Sequence, residues 1–190
     1  MKSISFVFAG LLLAASPSAF AQSAVNLFGT IEKIEAGSIV VKNDDGGATQ
    51  TFRLAPNYLV LQNKPAKLAD IKPTDYVASA AVRKEDGKLH STELRIFPEA
   101  FRGQGEGQRP MGDGRQTMTT ATVTGTAIVN GSNNLKVKFE TGESELVLDP
   151  GVPLTRIDTV DKSLLKQGAK VRVQGATSAD GATANRITLQ

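Results

Sequence analysis

The chain states one pattern twice, and that repetition limits its fold more than any single residue does. Residues 26–97 run through Phe28-Gly29-Thr30-Ile31, Ser38-Ile39-Val40-Val41-Lys42, Phe52-Arg53-Leu54, Tyr76-Val77, Asp86-Gly87 and Leu94-Arg95-Ile96. Residues 121–190 answer with Thr124-Gly125-Thr126-Ala127, Asn134-Leu135-Lys136-Val137-Lys138, Leu146-Val147-Leu148, Lys170-Val171, Asp180-Gly181 and Ile187-Thr188-Leu189. Modules of roughly 70 residues bury only about 60% of their unfolded surface, so each would be marginal alone. They are expected to pack on each other or on a partner.

Within each module the apolar residues alternate with period two, as in half-buried strands. Leu27, Gly29 and Ile31 share one face of a first strand, and Val123, Gly125 and Ala127 repeat it. Ile39 and Val41 match Leu135 and Val137; Phe52 and Leu54 match Leu146 and Leu148. Val77, Ser79 and Ala81 match Val171, Val173 and Gly175, and Leu94 and Ile96 match Ile187 and Leu189. Asp45-Gly46-Gly47, Asp86-Gly87, Asn130-Gly131, Thr141-Gly142 and Asp180-Gly181 supply turn chemistry between strands. Longer crossings, about 56–74 and 150–168, separate the third strand from the fourth. Each holds a stretch, Ala66 to Ile71 or Asp161 to Leu165, suited to one helical turn, with Asp161 placed to cap the second. Three strands, a short helical turn and two strands is the order of an OB-fold, a small five-stranded barrel. Gly29 and Gly125, in matched register, suit a bend in its first strand. The expectation is an all-β chain of two tandem five-stranded OB-like barrels, with a short helical turn between strands 3 and 4 of each.

The organisation expected is a signal peptide over 1–21, an OB-like module over 22–97, a Gly/Arg-rich linker over 98–120 and a second module over 121–190. The linker holds five glycines and two prolines between Pro98 and Thr119, a composition that argues against any regular element. A structureless stretch of about 20 residues in a compact protein is either disordered or functional. Its segment Arg102-Gly103-Gln104-Gly105-Glu106-Gly107-Gln108-Arg109-Pro110, with Thr117-Met118-Thr119-Thr120-Ala121-Thr122-Val123 after it, resembles a family of exported bacterial proteins of unknown function. Members of that family carry OB-like repeats, and some are labelled metal-transporter components. They place His where this chain has Gln108 and Trp where it has Met111.

The start of the chain reads as an address. Met1-Lys2 precedes an apolar run from Ile4 to Ala15, and Ala19-Phe20-Ala21 is a small-x-small cleavage site. That run is about a dozen residues, against roughly 20 for a spanning helix. The expectation is a periplasmic or secreted protein, cleaved near Ala21, with no transmembrane span. The formal net charge is +3, with 22 basic and 19 acidic residues, and it falls by one when Lys2 leaves with the signal. Such a balance is weak support for a polyanionic partner.

Most catalytic constellations are closed to this composition. The chain has no cysteine, which excludes thiol nucleophiles and thiolate metal sites. His90 is the single histidine, so a His-cluster metal site cannot form within one chain. His90 shares parity with Leu94 and Ile96 and reads as a partly buried structural or rim residue. Ser91, its neighbour, points to the opposite face of a strand. Asp44-Asp45-Gly46-Gly47 reads as a hairpin turn, because a calcium loop needs regularly spaced oxygen ligands. OB-folds often bind single-stranded nucleic acid, but export and a balanced charge argue against that partner.

The reading is therefore of a non-enzymatic exported binding or scaffolding protein of the cell envelope. No catalytic residue, metal site or cofactor is expected. The partner-binding surface is placed on the linker at Arg102, Glu106, Arg109, Pro110 and Met111, with an envelope protein or an anionic glycan or lipid as partner. The alternative is a periplasmic accessory in metal handling that uses carboxylates and His90.

Overall fold

The computed structural model describes residues 23–129 and 132–190. The signal peptide and the Asn130-Gly131 turn expected from sequence lie outside the described residues. The fold is all-β, with 66% of the described residues in strands. Strands β1 (Ser23–Glu35), β2 (Ser38–Asn43) and β3 (Thr49–Pro65) form an antiparallel meander. β4 (Tyr76–Arg83) and β5 (Leu89–Phe97) form a hairpin, followed by a short β6 (Gly107–Met111). The second repeat supplies β7 (Gln116–Val129), β8 (Ser132–Phe139) and β9 (Gly142–Leu148) as a meander. It continues with β10 (Leu154–Thr159) and ends in the hairpin of β11 (Lys170–Ser178) and β12 (Gly181–Leu189).

The strands of one repeat do not close on themselves. β1, β2 and β3 close a five-stranded barrel with β12 and β11 of the second repeat: β3 runs parallel to β12, and β1 antiparallel to β11. β4 and β5 pair instead with β7, β8 and β9, through an antiparallel β4–β7 ladder. That second circuit is completed by two parallel pairs, Leu89 with Leu146 and His90 with Val147. The halves are thus interleaved, three strands from one repeat with two from the other, where sequence order suggested one barrel after another.

The crossings explain the exchange. At roughly 3.3 Å per residue, the 17 residues of β3 carry the chain out of the barrel and across to the second circuit. The far end of β3, Leu61 to Pro65, pairs antiparallel with β10, which brings the chain back. β10 also pairs in parallel with β5, from Leu154–Leu94 to Arg156–Ile96. The two crossings are therefore mostly strand, with one three-residue 3-10 turn in each, Leu68–Asp70 and Lys162–Leu164. Asp161 accepts a hydrogen bond from the Ser163 amide at 2.8 Å at the start of the second turn.

The barrel and the second circuit of strands each have their own core. Ile31, Ile39, Val41, Phe52, Val173 and Ile187 fill the first; Val77, Leu94, Ile96, Leu135, Val137 and Leu146 fill the second. Burying a side chain of this size is worth about 1.5–3 kcal/mol each. A third cluster of Leu61, Phe101 and Ile157 sits where the crossings meet, with Leu59 and Phe97 against it. Parity slips at bulges. β4 residues Ala80 and Ala81 oppose Glu93 and Ser91, which leaves Thr92 unpaired. That extra residue puts Leu89 and Ser91 on the inner face together with Leu94 and Ile96, and turns His90 outward. The expected shared face of His90, Leu94 and Ile96 is corrected accordingly.

The segment 98–120 is also corrected. It is a folded arm. Pro98 leads into a 3-10 turn at Glu99–Phe101, and β6 then pairs with β7 from Gly107–Thr120 to Met111–Gln116. Composition argued against a strand here, but β6 needs only an existing edge, which the first half of β7 provides.

Candidate functional site: the cleft over the strand bridge

The arm carries all five residues expected at a binding surface, and the structure separates them. Arg102 is structural in its contacts. Its guanidinium pairs with Glu99 (2.5 and 2.8 Å), donates to the Thr74 carbonyl at 2.8 Å and to Thr122 Oγ1 at 3.0 Å, and lies 5.6 Å from the Tyr76 ring centroid. Tyr76 is buried and donates its hydroxyl to the Gln104 carbonyl at 3.1 Å. Burial pushes the Tyr76 phenol up, and Glu106 adds to the effect. Glu106 borders a shallow depression beside Lys138 and Phe139. Pro110 is exposed and Met111 half-buried, opposite Thr117 and Gln116 in the β6–β7 ladder. Only Arg109 of the five reaches the cleft described next; its Nη1 donates to the Gly105 carbonyl at 2.8 Å.

That cleft lies on the outer faces of the barrel and of the second circuit of strands, over the β3–β10–β5 bridge. It has two lobes, of about 210 and 430 Å³, which share Glu93, Arg95, Phe97, Phe101 and Arg186. Strand parity builds it. Val171 and Val173 face the first core, so Arg172 between them faces out. Ile187 does the same for Arg186 on β12, and Leu94 and Ile96 for Glu93, Arg95 and Phe97 on β5. Phe101, 4% exposed, forms the floor, anchored there by the 3-10 turn of the arm.

Two guanidiniums lie on aromatic faces in this cleft. The Arg186 guanidinium carbon is 4.3 Å from the Phe101 ring centroid, and that of Arg172 is 5.3 Å from Phe28. Phe28, at 44% exposed, is one of the few large apolar side chains left open to solvent. Arg172 Nε donates to Asn26 Oδ1 at 2.7 Å, and Arg186 Nη2 to Gln104 Oε1 at 3.4 Å. Burial, and then the nearby Arg172 charge, push the Arg186 guanidinium below its ordinary value. The single acid in the cleft wall, Glu93, is paired with Arg95 at 3.0 Å. The arginines in ion pairs among the described residues are Arg95, Arg102, Arg115 and Arg156; Arg109, Arg172 and Arg186 form none. This site is not legible in the sequence, because its cations come from strands distant in the chain. The available signal was an arginine set out of phase with the apolar residues on each of β5, β11 and β12.

A second polar cluster surrounds His90. Its Nδ1 lies 2.8 Å from Asp149 Oδ2 and its Nε2 lies 3.0 Å from Asp86 Oδ2. Lys84 Nζ also meets Asp149 Oδ2, at 2.9 Å. Hydrogen bonding from Lys84 and then from His90 holds the Asp149 carboxyl down to about 2. The Asp149 carboxylate in turn raises His90 above its ordinary value. The two carboxylates approach opposite ring nitrogens, so the three groups do not converge on one point. Among the described residues no group of three or more His, Asp and Glu is placed to hold a metal ion. Ser91 points inward, where it accepts a hydrogen bond from Ser79 at 2.8 Å, so it has no access to the outward His90. The cluster ties β4 and β5 of the first repeat to the end of β9 in the second.

No family model, curated protein or solved structure matches the chain. Among the described residues no helix is long and apolar enough to cross a membrane.

Proposed function

We propose that this protein is a non-enzymatic, exported binding or scaffolding protein of the cell envelope. On this reading each circuit of strands is an OB-like barrel: a three-stranded meander closed by a later hairpin, with strand 3 parallel to strand 5. The observation that carries the reading is the inter-barrel cleft, where Arg109, Arg172 and Arg186 stand without carboxylate partners around an aromatic floor. Unpaired guanidiniums held on ring faces in a partly buried cleft are arranged for an incoming anionic group. Sequence supports export, through the leader ending near Ala21. The absence of a catalytic role is supported by the one histidine, whose ring nitrogens both face carboxylates and so offer no free base to a nucleophile.

The test is affinity capture from an envelope fraction, comparing the native protein with a charge-reversed cleft carrying Arg109→Glu and Arg186→Glu. Components retained by the native protein should be lost from the variant while its thermal melt is preserved. Equal recovery by the two proteins contradicts a binding role for the cleft.

A further inference from the structure

The larger lobe of the cleft is more selective than a general basic patch. Arg172 on β11 and Arg186 on β12 are near-neighbours on adjacent strands: Arg172 pairs with Thr188 and Gln174 with Arg186. They share the same outer face, each on its own ring, Phe28 or Phe101. Two positive charges on one face repel, and burial of Arg186 adds to the cost. Nothing among the described residues offsets that cost with a carboxylate, because Glu93 is already held by Arg95. Neutral hydrogen-bonding side chains, Gln174 and Thr188, line the same lobe and add polar contacts without adding charge. A carboxylate brings one negative charge and fits one guanidinium fork. A phosphoryl group brings about −1.5 to −2 near neutral pH, with three acceptor oxygens, and matches two forks at once.

We propose that Arg172 and Arg186 form a phosphoryl-binding site in the lobe between Phe28 and Phe101. This rests on the reading of the cleft as the binding surface and names the chemistry of its ligand. The phosphoryl group can belong to a soluble phosphate compound or to the phosphomonoester headgroup of a lipid, and the two sources are separable by experiment.

Titration calorimetry of the purified protein at low salt, with sodium pyrophosphate, is the direct test. Saturable binding is expected, at least tenfold tighter than that of sodium glucuronate, which offers a carboxylate alone. Arg172→Gln and Arg186→Gln should each weaken it about tenfold or more, with Arg186→Lys intermediate because it keeps the charge but not the fork. Arg115→Gln, at an exposed arginine already paired with Asp113, should leave it unchanged, and thermal melts confirm that each variant is folded. Sedimentation with phosphatidic acid vesicles, whose headgroup is a phosphomonoester, then separates the sources. Vesicle binding displaced by pyrophosphate assigns the site to a headgroup, and pyrophosphate binding without vesicle binding assigns it to a soluble phosphate. Pyrophosphate binding no tighter than glucuronate, or equally weakened by Arg115→Gln, overturns the proposal. If that happens while charge reversal of the cleft still abolishes envelope capture, the ligand class is wrong and the cleft reading stands. If capture is also unaffected, both fall.

Discussion

Glycine at position 175 shows how much one hydrogen in place of a methyl can decide. A Cβ there would lie 1.9 Å from the Thr183 carbonyl oxygen, across the bulge that joins β11 and β12. Gly29 has the same constraint, 2.2 Å from the Lys42 carbonyl oxygen, whereas Gly125, its counterpart in the second repeat, has open space. Gly175→Ala and Gly29→Ala should each cost about 1–3 kcal/mol in a urea melt, through forced backbone shifts, and Gly125→Ala almost nothing. Sequence placed Gly29 and Gly125 in one register and suggested one role. That role depends on how closely a neighbouring strand approaches, which the repeat pattern does not encode.

His90 gives a second prediction at the residue scale. Its pKa is raised in the fold above the ordinary 6.5, first by the hydrogen bond to Asp149. The stabilisation from this contact is therefore complete below the unfolded value and is lost as pH rises through the folded one. Asp149 works in the opposite sense. Its carboxyl falls from 3.8 to about 2, so its contribution is present above 3.8 and disappears as pH drops towards 2. Thermal stability should decline on both sides of a window from about pH 4 to 6.5, and His90→Gln should remove the decline on the alkaline side and weaken the one on the acid side, where Lys84 still holds Asp149.

Among the elements, the arm from Pro98 to Arg115 departs most from its composition. Glycines and a proline concealed β6, a short edge strand whose pairing comes entirely from β7. Phe101 is its anchor, buried beneath the cleft against Leu61 and Ile157. Phe101→Ala should lower stability by about 3–5 kcal/mol, as for other buried phenylalanines, and should release Arg186 from its ring. Exchanging residues 102–115 for a Gly-Ser tether should likewise destabilise the fold, because it strips β6 and the Arg102 contacts as well as Arg109. A melt unchanged by that exchange would show the arm to be a passive tether. Strands with strict alternation were legible: Ile39 and Val41, Leu135 and Val137 face inward as their period requires. β10 and the far half of β3 were not, because they fall in the crossings, about 56–74 and 150–168, that read as connections holding one helical turn each.

At the scale of the whole molecule, the repeat explains why strand partners could not be read from the sequence. Two meanders and two hairpins with equivalent patterns can combine in chain order or exchanged, and local periodicity favours neither. The long β3 and its pairing with β10 favour exchange, because they span the distance between the two circuits of strands. The exchange makes the repeats interdependent and brings cations from β5, β6, β11 and β12 into one cleft. A cooperative single-step unfolding is the expected consequence, since neither repeat retains a closed barrel once the other has opened.

The absence of cysteine from the chain offers a direct test of that interleaving. Arg53 on β3 and Thr183 on β12 are paired neighbours from different repeats, both turned away from the core. Mild oxidation of the Arg53→Cys, Thr183→Cys variant, followed by peptide mass mapping of the monomer, should give an intramolecular 53–183 disulfide in nearly all molecules. Two free thiols in a folded monomer, or a disulfide found only between chains, would contradict the interleaved repeats and the cleft they create.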